Sequence, residues 1–235
     1  MASGYVEIIA HRGLALNNIE NTIPAFKDAL TNGADAIELD VHESKDGELL
    51  VFHDYDLRRL FHMGEFIYDL TWEEIKRLKF PGKDYGIPTL EDVFRHIDVK
   101  LYVELKTMDE KGRRFYPDLV DKVISLSLTY GRRDTIISFD PLPLIYCKEK
   151  WPQYTYGLDM DSESIAMLGM RNVEFYLQKI GLVLPEVNLL SILDVYERSK
   201  IIPWVVNDPG LFILLKEKAY AGVISDRVDI LNEYR

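Results

Sequence analysis

One cysteine in 235 residues, Cys147, leaves nothing for an intrachain disulfide, so stability has to come from a packed core. That scarcity makes a cytoplasmic setting the expectation. No stretch approaches the roughly 18 consecutive apolar residues of a membrane-spanning helix. The opening MASGYVEIIAHRG lacks the basic segment and long apolar run of a secretory signal, and stable membrane insertion is not expected. Positive charge is scarce too. Against 39 Asp and Glu stand only 28 Lys and Arg, for a net charge of −11. No basic surplus is left to neutralise a phosphate backbone, which sets nucleic acid aside as a general partner. A local cationic pocket for a single phosphate remains open. Internal repeats, Ser/Gly linkers and low-complexity tracts are missing as well, and one domain over 1–235 is expected.

What is present suits a soluble globular chain with a large core: 47% hydrophobic and 29% charged residues. Short apolar runs alternate with helix-periodic segments throughout. Strands are expected at 6–10, 36–41, 100–106, 135–139, 155–160, 182–184, 201–206 and 222–225, and helices at 23–31, 117–128, 141–150, 162–170, 191–199 and 209–219. Thr71-Trp72-Glu73-Glu74 and Thr89-Leu90-Glu91-Asp92 each open a further helix with a capping box. The strand count is eight if 48–53 is the return arm of a hairpin. A parallel neighbour needs a crossover of roughly a dozen residues, which Lys45-Asp46-Gly47-Glu48 cannot supply. Eight βα units predict an α/β fold, a single (β/α)₈ barrel with a hairpin extension after strand two. An open doubly wound sheet is the alternative.

The hairpin, ELDVHESKDGELLVFHD at 38–54, mixes strand residues with Glu38, Asp40, His42 and His53. Asp46-Gly47 at its tip suits a two-residue type I′ loop, and that register sets Asp40 opposite His53 with Glu38 on the same face. Elsewhere polar residues fall at strand ends, where barrel active sites lie. These are His11-Arg12, Glu104-Leu105-Lys106, Trp204-Val205-Val206-Asn207 and Ser225-Asp226-Arg227. Carboxylates crowded at one mouth need a counter-charge, and an all-oxygen ligand set suits one Mg²⁺ or Ca²⁺. His11 and His53 would then be free for proton transfer, and Arg12 and Lys106 suit a phosphate. Taken singly, each group has a plain reading as a surface or interior ion pair. Together those readings would have to place seven groups at one rim by accident. His62 and His96 are expected to be solvated or structural, and His42 a surface residue. Trp204 serves either as barrel packing or as an apolar wall for a substrate.

These segments resemble a known family. HRG at 11–13, ENT at 20–22, GADAIELDVHESKDGELLVFHD at 33–54, DLTWEEIKRL at 69–78, IPTLEDVF at 87–94, YVELK at 102–106, WVVN at 204–207 and GVISDR at 222–227 are similar, in order, to the glycerophosphodiester phosphodiesterases. The resemblance implies a TIM barrel that cleaves glycerophosphodiesters to glycerol 3-phosphate and an alcohol with one divalent cation. It implies His11 and His53 as the acid–base pair, Glu38, Asp40 and Glu104 as metal ligands, and Arg12 and Lys106 as phosphate contacts. Glu20 is implied as a site residue that orients Arg12 or reaches the metal through water. The chain departs from the family at Ile19, commonly Pro, and at Leu60-Phe61, commonly Thr-Thr. It also has little room between His53 and Glu104 for a cap over the mouth. The competing expectations are a phospholipase-D-like or inositol-phospholipase-like barrel acting on intact lipid, and a non-catalytic barrel that binds glycerophosphodiesters.

Overall fold

The computed structural model describes residues 5–107, 118–193 and 196–235. Its centre is a parallel sheet of β1 (Glu7–His11), β2 (Ala36–Glu43), β4 (Lys100–Leu105), β5 (Thr135–Ser138), β6 (Thr155–Met160), β7 (Leu182–Pro185) and β8 (Gly222–Ser225), with β3 (Leu49–Val51) pairing antiparallel to β2. The order β7-β6-β5-β4-β2-β1-β8 leaves one place between β7 and β8. Residues 201–206 fill it. Ile202 and Trp204 donate to the carbonyls of Val183 and Pro185, while Val206 donates to Ile224 and Ile224 to Pro203. Pro203 has no N–H to give, which is why this eighth strand stays irregular. The Trp204–Val205 peptide is cis.

Alternation within the strands separates two cores. Ile9, Ala36, Tyr102, Ile137, Leu184, Ile202 and Ile224 fill the barrel interior. The opposite faces, including Ile8, Leu39 and Val103, pack outward with helix residues such as Phe26 of α1 (Ile23–Thr31) and Phe212 of α9 (Pro209–Glu217). Gly157 lies in the interior layer because a Cβ there would stand 2.3 Å from Leu184 Cδ1. The interior closes at its lower end on a polar plug: the Tyr102 hydroxyl donates to Glu7 and accepts from Lys100.

Both capping boxes form. Thr71 and Glu74 open α3 (Trp72–Ile75), and Thr89 and Asp92 open α4 (Leu90–His96). With α2 (Arg58–Phe61), the segment following β3 builds a small cap around Leu50, Phe52, Leu57, Ile67, Ile75, Phe80 and Ile87. Ile19, Leu60 and Phe61, where the chain departs from the family pattern, pack against this cluster, and the Phe61 ring stacks on Phe80 at 4.7 Å.

Four expectations need correction. The hairpin loop has three residues, since Ser44 N–H donates to Glu48 O and Gly47 takes φ +92°. The pairing therefore sets Val41 against Val51, and Asp40 against Phe52 rather than His53. His42 is buried: strand alternation puts it on the face of Glu38 and Asp40, and residues 52–55 fold back over it. The helix expected at 191–199 is replaced, among its described residues, by turns and a 3₁₀ segment, Arg198–Lys200. Gly169 at φ +74° ends α7 (Ser162–Leu168), and a further helix, α8 (Met170–Ile180), begins behind it. That helix buries Val173, Leu177 and Ile180 at i, i+4 and i+7, a helical stripe that had been passed over. The remaining helices, α5 (Asp118–Thr129), α6 (Pro141–Lys150) and α10 (Val228–Leu231), lie between or after strands as in a βα repeat.

Candidate active site

Strand register brings the acidic residues together. His11 lies beside Glu38, and Asp40 beside Glu104, on adjoining parallel strands. Glu38, Asp40, Glu104 and Lys106 are all buried. One carboxylate oxygen from each of the three acids lies within 4.8 Å of the others. Two oxygens sharing one cation at about 2.0–2.6 Å cannot be much further apart than that, so the spacing fits a single hard cation. Lys106 Nζ is 2.6 Å from Glu104 and 2.8 Å from Asp40 Oδ1, the latter an ion pair without hydrogen-bond alignment. Arg12 approaches Asp40 at 3.3 Å, and its backbone N–H donates to Glu38. Asn21 donates to Asp40 Oδ2 at 2.7 Å and accepts the Asp40 N–H. Arg12 and Asn21 both hold left-handed backbone, at φ 55° and 57°, which directs the loop after β1 back onto these carboxylates.

Charge in this cluster is unbalanced. Burial, then Asp40 and Glu104, push the Glu38 carboxyl well above the usual carboxylate range. Burial also lifts Glu104, to about 7, with Lys106 opposing and Asp40 adding. Asp40 behaves oppositely: Lys106 and Arg12 outweigh its burial and hold it well below the ordinary value. Asp159, at the end of β6, is raised by burial and by Glu104 and Glu38. Among the described residues, two cations thus face four carboxylates. A divalent cation would relieve that excess, and the donor set, carboxylate oxygens alone, fits Mg²⁺ or Ca²⁺.

Each flanking histidine is fixed through Nδ1. His11 Nδ1–H donates to Asp226 at 2.7 Å, and Asp226 is held by the Asn207 side chain. His53 Nδ1–H donates to Asp54 at 2.7 Å. An imidazole donating from Nδ1 keeps its Nε2 lone pair available for a proton. Burial lowers the His53 pKa, with Asp54 opposing. Arg59 clamps Asp54 with two hydrogen bonds and Glu20 with two more. Glu20 in turn accepts from Arg12. His42 donates its Nε2–H to the His53 carbonyl at 3.0 Å and meets the Tyr55 ring edge-on at 4.9 Å, which holds the bend after β3.

The model of the Glycerophosphoryl diester phosphodiesterase family matches residues 11–230. The chain belongs to that family. Among curated relatives, a glycerophosphodiester phosphodiesterase of Caldanaerobacter subterraneus subsp. tengcongensis is 41% identical over 64% of this chain and 65% of its own length. The match therefore spans just under two thirds of that relative. The crystal structure of a glycerophosphodiester phosphodiesterase of Thermotoga maritima has a TM-score of 0.80 at 30% identity, covering 98% of this chain and 99% of that one. A phosphodiesterase of Oleispira antarctica, solved with the product sn-glycerol-3-phosphate, has a TM-score of 0.78 and covers 97% and 96% of the two chains. At 22% identity that last likeness is one of fold.

In this family member, His11, Arg12, Glu20, Glu38, Asp40, His53, Glu104 and Lys106 converge at the C-terminal mouth of the barrel. Trp204 stands across the mouth, its Nε1–H on the Leu184 carbonyl and its ring against Phe139. Sequence reasoning missed Asn21, Asp54, Arg59, Asp159 and the role of Asp226. Asp54 adjoins His53 and Asn21 adjoins Glu20, so their proximity was readable. Arg59 reaches the site only through the fold of the cap.

Proposed function

We propose that this chain hydrolyses glycerophosphodiesters to sn-glycerol 3-phosphate and an alcohol, with His11 and His53 as the acid–base pair. The observation that carries this reading is the pair of Nδ1-anchored imidazoles flanking a buried Glu38–Asp40–Glu104 cluster with Arg12 and Lys106 beside it. Glu38, Asp40 and Glu104 hold one Mg²⁺ or Ca²⁺. The bound cation supplies positive charge to the non-bridging phosphate oxygens. Arg12 and Lys106 orient the phosphate and share its charge. One imidazole Nε2 takes the proton of the attacking hydroxyl or water while the other, protonated, gives one to the leaving oxygen. Asp226 and Asp54 keep both rings in the required tautomer and stabilise each imidazolium as it forms. No helix among the described residues is long and apolar enough to cross a membrane. Cys147, a lone and buried free thiol, suits a cytoplasmic setting.

Release of sn-glycerol 3-phosphate from glycerophosphocholine tests the reading. Turnover should vanish in excess chelator and return with Mg²⁺ or Ca²⁺. Glu38→Gln, Asp40→Asn and Glu104→Gln should each weaken cation binding measured by calorimetry, because each removes a charged oxygen while nearly keeping its shape. Full turnover in excess chelator overturns the metal assignment. Turnover of lysophospholipid micelles alone, with none of glycerophosphocholine, moves the substrate to intact lipid.

A further inference from the structure

Among the described residues, the two halves of the mouth differ in charge. Arg12 and Lys106 stand with the carboxylate cluster on β1, β2 and β4. Facing them are the ends of β5, β6 and β7 and the 201–206 strand. Residues 138–142, 159–164, 184–190 and 202–208 contain no lysine or arginine. Three of their acids are committed to helix starts: Asp140 accepts from Leu142 N–H, Asp161 from Ser164 N–H and Asp208 from Leu211 N–H. Of the other three, Glu163 lies in the first turn of α7, and Asp159 and Glu186 lie at strand ends.

Asp159 lies two residues beyond Gly157 on the inner face of β6, and is only 4% exposed. Its Oδ2 is buried and has no hydrogen-bond partner. An acceptor left so is costly unless a ligand or water satisfies it. Glu186 follows β7, two residues beyond the interior Leu184, and is half-buried. It pairs through its backbone with Trp204 on the neighbouring strand. Phe139 and Trp204 lie on either side, their rings 5.8 Å apart and nearly perpendicular at 84°. The Trp204 ring is pinned by its hydrogen bond to Leu184.

We infer that Phe139, Asp159, Glu186 and Trp204 form a head-group subsite that selects a cationic, alkylammonium leaving group over a neutral one. This rests on the phosphodiesterase reading above. A glycerophosphodiester with such a head group carries one negative centre, the phosphate, and one positive centre a few bonds away. The mouth carries the complement of both: Arg12 and Lys106 on one side, and on the other the two aromatic rings with the Glu186 carboxylate and the unpaired acceptor oxygen of Asp159. An aromatic face attracts a quaternary ammonium through the ring quadrupole, and a carboxylate behind it adds a formal counter-charge. A neutral polyol head group gains neither attraction.

The test compares kcat/KM for glycerophosphocholine and glycerophosphoethanolamine with that for glycerophosphoinositol in the metal-loaded enzyme. Wild type should favour the cationic substrates by about tenfold or more. In Trp204→Leu and in Glu186→Gln that ratio should fall toward one, and choline should lose potency as a competitive inhibitor. Glu186→Gln keeps the side-chain shape at a half-buried position, so it reads the charge even where the tryptophan variant folds poorly. Retention of selectivity for the quaternary over the primary ammonium in Glu186→Gln, with its loss in Trp204→Leu, assigns the aromatic face as the larger contributor. Turnover of all three substrates at similar rates by wild type, or a ratio unchanged in both variants, overturns the subsite while leaving the phosphodiesterase reading intact. Turnover of none of them overturns both.

Discussion

Arg59 joins parts of the site that are far apart in sequence. Its guanidinium donates to Asp54, which orients His53, and to Glu20, which holds Arg12 against Asp40. Its planar fork meets two carboxylates at once, a geometry that a lysine ammonium cannot reproduce. Asp54 and Glu20 both titrate lower for it: at Asp54 the His53 and Arg59 hydrogen bonds, and at Glu20 Arg59 and Arg12, outweigh burial. Arg59→Ala should lower kcat by about 10–100-fold, the range typical of groups that orient site ligands, with little change in cation affinity. Arg59→Lys should recover only part of that loss, and added guanidine should partly rescue the alanine variant. An alanine variant with wild-type kcat would show that His53 and Arg12 keep their positions without it.

At the scale of elements, what was legible followed from periodicity and what was not followed from loop geometry. The alternation in β2 placed Glu38 and Asp40 on one face, and the spacing of Glu104 and Lys106 did the same on β4. The hairpin register came out one residue different because Asp46-Gly47 serves equally well in a three-residue loop, with Gly47 alone at positive φ. A one-residue shift usually sends a side chain to the opposite face. Here His53 still reaches the mouth because pairing ends with the Phe52 N–H on the Asp40 carbonyl and the chain then bends, with His42 buried beneath the bend. That burial has a pH signature. His42 is pushed from its ordinary 6.5 down to about 4, chiefly by desolvation. As pH falls from 6.5 to 4 the unfolded chain takes a proton that the folded chain refuses, and stability drops by up to about 3 kcal/mol. Above 6.5 the contribution is complete, and below 4 the loss is constant. Glu104 has the opposite sign, because a raised carboxyl binds its proton more tightly in the fold. The difference in urea-unfolding free energy between wild type and His42→Gln, followed from pH 7 to 4 in chelator, isolates the histidine. A difference that does not vary with pH would mean that His42 takes up its proton in the fold as readily as in the unfolded chain.

Across the whole molecule, the barrel interior is layered by function. A polar plug of Glu7, Lys100 and Tyr102 closes one end, an apolar layer around Ile9, Ile137, Leu184 and Ile224 fills the middle, and the charged mouth lies above it. The apolar middle supplies stability and the mouth opposes it, since Glu38 and Glu104 are buried beside Asp40 with, among the described residues, Lys106 and Arg12 to offset them. Stability and cation binding should therefore separate in a single substitution. Glu38→Gln removes a buried acid whose charged form is disfavoured by desolvation and by two neighbouring carboxylates. In chelator the variant should be as stable as wild type or more so, by about 1 kcal/mol. Added Mg²⁺ or Ca²⁺ should raise the wild-type Tm progressively, because a cation that binds only the folded chain stabilises it by mass action. The Glu38→Gln melting curve should respond far less to the same titration. If instead the variant melts well below wild type in chelator, Glu38 contributes to the fold as an ion-pair partner of Arg12 or Lys106. The mouth would then be a balanced polar network rather than a site held ready for a cation.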